Sequence, residues 1–147
     1  MEPECPKKTC YVNISSCYPD QTGTLGHKRD LFAACHLVIL DDVGTKVPID
    51  KTPAKLKPTY IIESSPGNYQ YGYVFKKPIT VYEHAQAIVE ALAHAELTDC
   101  GGLTATKVVR IGAGINGKLT PNTNHRDPRK GSFLVNLEFM DGPEWTA

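Results

Sequence analysis

No apolar run in this chain of 147 residues approaches the ~20 residues that a helix needs to cross a bilayer, and the polar start Met1-Glu2-Pro3-Glu4 lacks the basic and apolar regions of a signal peptide. The expected location is therefore the cytoplasm. There is no excess of one charge, because 16 basic residues offset 16 acidic ones. The whole-chain field thus gives no sign of the basic surplus common in nucleic-acid binders. The five cysteines, at positions 5, 10, 17, 35 and 100, are odd in number and irregular in spacing. They do not form a disulfide framework, and without a CxxC or HxxxH pair they do not form a zinc site. Internal repeats, coiled-coil heptads and low-complexity tracts are absent as well. What remains, with 41% hydrophobic and 22% charged residues, is an ordinary globular composition. The length suits one domain covering residues 1–147.

Strand patterns dominate. Residues 10–16 alternate and are β-prone, and His36-Leu37-Val38-Ile39-Leu40 is a short apolar run of the kind buried on both faces. His36 on that run reads as a core residue, whereas His84 and His94 read as helix surface. A short helix is predicted over His27–Ala34. Residues 47–58, rich in proline and lysine, read as an exposed connection. Thr59–Glu63 and Tyr69–Phe75 flank Ser65-Pro66-Gly67-Asn68, in which Pro presets φ and Gly accepts positive φ, so a β-hairpin with a type II turn is predicted. Period two puts Gln70 and Gly72 on one face, and the glycine leaves room for something to approach Gln70. Thr80-Val81-Tyr82-Glu83 has the form of a capping box ahead of Val81, Ala85, Ile88, Val89 and Leu92 at helical spacing, and Gly101-Gly102 closes that segment. Thr106–Ile111 reads as a strand, Gly112–Lys118 as a flexible loop, and Ser132–Phe139 as a last strand. The fold class is α+β, a mostly antiparallel sheet with helices on one face and the other face free as a platform.

Four short elements carry the chemistry. Asp41 and Asp42 at a strand end offer the hard oxygen ligands that Mg²⁺ or Mn²⁺ require, although on local evidence alone Asp-Asp-Val-Gly reads as turn chemistry. Lys46 stands four residues beyond Asp42, where it could meet a phosphate. Ser65, Asn68 and Gln70 offer neutral hydrogen-bonding groups beside a tight turn. Gly112-Ala113-Gly114 lacks the spacing of a phosphate-binding loop of ATPases or of a dinucleotide fingerprint, which argues against both. Even so, between Lys107 and Lys130 the basic residues Lys107, Arg110, Lys118, Arg126, Arg129 and Lys130 face only Asp127, a local excess of five positive charges. That edge suits phosphates, or else is a solvated loop.

Taken together, Asp41-Asp42-Val43-Gly44-Thr45-Lys46, Ser64-Ser65-Pro66-Gly67-Asn68-Tyr69-Gln70, Thr98-Asp99 and Arg110 through Asn116 resemble the primase domains of phage and plasmid replication proteins, within the archaeo-eukaryotic primase superfamily. Ser-Pro-Gly-Asn-Tyr-Gln is the most specific of these matches. The resemblance implies a recognition-motif-like catalytic core that makes primers on single-stranded DNA by metal-dependent nucleotidyl transfer. Asp41 and Asp42 would hold Mg²⁺ or Mn²⁺, with Asp99, Glu138 or Glu63 as the third carboxylate. Lys46, Ser65, Asn68, Gln70 and Arg110 would bind nucleoside triphosphates, and Asn116, Lys118, Arg126 and Arg129 the nucleic acid. The chain would be the amino-terminal part of a longer primase-helicase, with a helicase domain or subunit as a further partner. Departures are Gln70 where the superfamily usually has His, Gly112 where Pro follows Arg-x, and Cys100 where Pro follows Asp. The alternative is an inactive primase-like module that only binds single-stranded DNA or an origin. A rolling-circle nuclease ranks low because the chain lacks His-x-His, and a protein-interaction domain is the remaining rival.

Overall fold

A computed structural model of the chain describes residues 9–101, 104–116 and 133–147. The described elements are β1 (Thr9–Asn13), β2 (Ser15–Cys17), β3 (Phe32–Val43), β4 (Tyr60–Ser65), β5 (Asn68–Ile79), α1 (Tyr82–His94), β6 (Val108–Asn116), β7 (Phe133–Leu134) and β8 (Asn136–Phe139). All pairings between these strands are antiparallel. One sheet has the order β2-β3-β5-β4-β8 and a smaller one β1-β6-β7. The architecture is α+β and mostly antiparallel, with one α-helix among the described residues, and that helix is too short to span a membrane.

The two long central strands place the core. Directly opposed residues share a face of a sheet, and Val38 lies opposite Tyr73 while Leu40 lies opposite Tyr71. On that face Val38, Leu40, Tyr73 and Phe75 pack with Ala85 of α1 and with Leu97 and Ala105, and Ile88, Val89 and Leu92 of the helix close over them. The opposite face carries Ile39, which packs with Ile14 and Val109 and so brings the small sheet against the large one. Both faces of β3 are thus covered, as its apolar run predicts, but His36 is not part of the core. It is exposed and its ring lies 3.0 Å from the Ser16 hydroxyl.

Several local expectations change. The helix predicted over His27–Ala34 is only a 3-10 turn at Arg29–Leu31, because β3 starts at Phe32 and takes the following residues into the sheet. The capping box does not form. Helix α1 begins at Tyr82 with Val81 at the cap and no side-chain bond there. Nor does glycine end the helix. Glu96 takes φ 55°, its N–H donates to the Ala93 carbonyl at 2.8 Å, and the Leu97 N–H reaches back to Leu92 at 3.0 Å. This is a Schellman closure on a non-glycine residue. Gly112–Asn116 continues β6 instead of forming a loop, and the last predicted strand divides, β7 pairing with β6 and β8 with β4. The predicted hairpin is present, with Ser65 opposite Asn68 and Gly67 at φ 71°. The space expected above Gly72, however, is filled by the ring of Tyr60, the residue opposite it, so nothing reaches Gln70 from there.

Candidate active site

The site is built where β3 loses its regular alternation. Successive strand residues point to opposite faces, so Asp41 and Asp42 would ordinarily diverge. The register of β3 against β5 shifts between Leu40 and Val43, and Asp42 adopts φ 57°, a left-handed conformation that aspartate tolerates better than most residues. Both carboxylates consequently reach β5 side chains two residues apart. Gln70 Nε2 donates to Asp41 Oδ1 at 3.1 Å, and Asn68 Nδ2 donates to Asp42 Oδ1 at 3.0 Å. The Asn68 orientation is fixed from its other end, where the Thr45 hydroxyl donates to Oδ1 at 2.8 Å.

Next comes the chain after α1. The reversal at Glu96 returns it alongside β3, where the Asp41 N–H donates to Thr98 Oγ1 at 2.9 Å and the Asp99 N–H faces the Asp41 carbonyl at 3.4 Å. Asp99 thereby becomes the third acid of the cluster. Two lysines stand between the acids. Lys46 Nζ lies 2.8 Å from Asp42 Oδ2 and 2.9 Å from Asp99 Oδ2, and Lys107 Nζ lies 2.9 Å from Asp41 Oδ2. The two differ in setting, since the Lys46 side chain is 63% exposed and that of Lys107 is 23% exposed. The hydrogen bond from Lys46 holds the Asp99 carboxyl below its ordinary value, and the bonds to Asp42 and then Asp99 raise the Lys46 ammonium. With ammonium groups interposed, no three acidic, imidazole or thiol side chains among the described residues are arranged around one metal position.

The depressed Asp99 value predicts a small pH effect. Its contribution is present above the ordinary value of 3.8 and disappears as pH falls through the lower folded value. In urea unfolding, Asp99→Asn should lose less stability than wild type between about pH 6 and about pH 3, by under ~1 kcal/mol because Lys46 is well exposed.

Gly44 sets the distance between the two halves. It has φ 92°, and a methyl group there would run into the Gly67 carbonyl of the hairpin turn. Gly44→Ala should therefore cost about 1–3 kcal/mol in denaturant unfolding and also separate Asp42 from Asn68.

A second polar group is centred on Arg110 of β6. Arg110 is 8% exposed and its guanidinium lies 5.0 Å from the Tyr11 ring centre. Arg110 Nη2 donates to Asn116 Oδ1 at 3.0 Å, and Asn116 Nδ2 donates to the Ser64 carbonyl at 2.6 Å. Among the described residues no carboxylate pairs with Arg110, its buried Nη1 has no hydrogen-bond partner, and neither has the buried Oε1 of Gln70. A buried charge without a counter-charge is costly, so this arrangement suits an anionic ligand.

The structure thus gathers Asp41, Asp42, Asp99, Lys46, Asn68 and Gln70, with Arg110 and Asn116 joined to them through Ser64. Asn116 is buried and braces Arg110. Ser65 is in the turn pair with Asn68. Glu63 accepts the Gly67 N–H at 2.9 Å and so serves the hairpin. Glu138 is exposed on β8, which is separated from β3 by β5 and β4, a span of about 14 Å at usual strand spacing. It makes no ion pair with the cluster among the described residues. Lys118, Arg126 and Arg129 lie outside the described residues. Thr98 and Lys107 are site residues without an assigned role in the sequence reading. Lys107 stood out there only as one charge in a basic run.

No family model matches the sequence, and neither does any curated protein. Solved structures do. The AEP domain of the primase-polymerase of cyanophage S-2L superposes with a TM-score of 0.59 at 14% identity, over 94% of this chain and 65% of that one. Primase RepB' superposes with a TM-score of 0.56 at 20% identity, over 78% of this chain and 36% of that one. The chain has the fold of a primase domain. It spans less than two thirds of the length of either of these primase chains.

Proposed function

We propose that this chain is a primase or primase-polymerase domain that joins nucleotides on a single-stranded DNA template. The observation that carries the reading is the cluster of Asp41, Asp42 and Asp99 on a primase fold, with a cation already held between two of the acids. Fit to a divalent ion follows from the donors. Asp42 Oδ2 and Asp99 Oδ2 share one ammonium, which supports a cation position between them, and all-oxygen ligands are those that Mg²⁺ or Mn²⁺ prefers. A bound divalent ion would acidify the attacking 3′-hydroxyl and neutralise the leaving pyrophosphate.

The remaining roles belong to the chain itself. Asn68 and Gln70 hold the two β3 carboxylates in fixed orientations, because their amide donors face the acids. Gln70 Oε1 and Arg110 Nη1 are buried and lack partners among the described residues, and in this reading they would meet a nucleotide hydroxyl and a phosphate oxygen once the site opens. Lys46, exposed at the rim, is placed to meet the triphosphate. A neutral Gln at position 70 would orient Asp41 and would not serve as a base for the attacking hydroxyl.

The test is incorporation of labelled nucleotides on single-stranded DNA with Mg²⁺ or Mn²⁺, run beside the double variant Asp41→Asn, Asp42→Asn. Incorporation that the double variant lacks supports the reading. Wild-type protein that binds single-stranded DNA but incorporates nothing with either metal supports the inert binding module instead, and incorporation unchanged in the double variant sinks metal catalysis at these residues.

A further inference from the structure

The directly paired charges of the cluster do not balance: among the described residues Asp41, Asp42 and Asp99 pair with Lys46 and Lys107, leaving one negative charge over in this contact set, with Arg110 outside it. Adding a divalent ion to that set would leave a surplus positive charge, whereas exchanging Lys46 for the ion leaves Asp41 neutralised by Lys107 and the other two acids neutralised by the ion. The two lysines also differ in how firmly they are held. Among the described residues the Lys107 ammonium has a single partner, and its side chain is mostly covered by the protein. Lys46 is shared between two partially exposed acids, is itself mostly exposed, and follows the tight turn at Gly44. Exposed pairs of this kind are individually weak, so the exchange costs little.

We infer that Lys46 is a built-in occupant of the cation position, displaced when a divalent ion binds and thereby freed to meet the nucleotide's phosphates. This rests on the reading proposed above and adds a regulatory step to it. In the absence of metal, Lys46 bridges Asp42 and Asp99, offsets one of their two charges and keeps the acidic cluster closed. Metal entry releases the ammonium beside the place where a polyanionic triphosphate arrives, so metal loading and nucleotide capture reinforce one another. Lys107 stays on Asp41 throughout and positions it.

Two measurements on the intact chain test this without reference to turnover. Mn²⁺ binding followed by electron paramagnetic resonance should tighten about three- to tenfold in Lys46→Met and remain near wild type in Lys46→Arg. The acylation rate of the Lys46 amine, read by mass spectrometry, should rise on adding Mg²⁺ and fall again when a non-hydrolysable nucleoside triphosphate is added with it. The Lys107 rate should not follow that pattern. Thermal unfolding of Lys46→Met confirms that the variant is folded, as expected for an exposed side chain. Mn²⁺ binding to wild type that Lys46→Met leaves unchanged or weakens overturns the exchange alone, as does a Lys46 acylation rate indifferent to Mg²⁺. Absence of Mn²⁺ binding in wild type and both variants overturns the metal-dependent reading as well.

Discussion

Nucleotide incorporation by the double variant Asp41→Asn, Asp42→Asn is expected to fall by about a thousandfold or more, corresponding to ~4 kcal/mol of lost transition-state stabilisation. The substitution keeps the shape of both side chains. It replaces two carboxylates with groups that bind a divalent ion poorly and that cannot neutralise Lys46 or Lys107. Asp42 is the more telling position, because its Oδ2 shares the Lys46 ammonium with Asp99, whereas Asp41 is engaged by Gln70, Lys107 and the Asp42 N–H. The single variant Asp42→Asn should therefore account for most of the loss. Binding to single-stranded DNA should be retained, since removing negative charge does not oppose a polyanion. A comparison of primer synthesis with DNA binding on the same preparations checks both halves, and a folded variant with wild-type synthesis would reject the assignment.

Leu40→Ala is expected to destabilise the protein by about 2–5 kcal/mol in urea unfolding, the range for deleting a fully buried leucine side chain. Leu40 has no exposed surface and belongs to the cluster that seals α1 onto the sheet. The residue immediately precedes Asp41, so the cavity would loosen the segment whose bulge aims both acids at the hairpin. A cost below about 1 kcal/mol would mean that α1 and its neighbours collapse readily into the gap, and that this anchoring of the site is weaker than the packing indicates.

Much of the strand content was legible because it rests on local patterns. The Pro66-Gly67 turn has one low-strain solution, and the apolar run ending at Leu40 is long enough only for a buried strand. The local signals that misled were those that tertiary contacts outbid. Residues 32–34 joined β3 because a sheet partner was available, and Thr80 was left without its capping bond. Gly72 and Gly112 look like open space or flexibility in a sequence, yet one lies under the Tyr60 ring and the other packs in β6 against Leu137.

The chemistry on offer is plain in the residues alone: paired aspartates followed by a glycine and a lysine, a hairpin ending in Asn68 and Gln70, and cysteines without a pairing scheme. These are properties of residue type and short spacing. The tertiary structure alone decided which third acid joins the pair, since Asp99 reaches Asp41 only through the reversal at Glu96 and Glu138 stays at the far edge of the sheet. It also decided that Asp41 and Asp42 face the same way and that Lys107 neutralises an acid 66 residues earlier in the chain. Contacts of that separation leave no trace in local periodicity. They exist because the helix and both sheets pack around β3, and that packing turns scattered charges into one cluster.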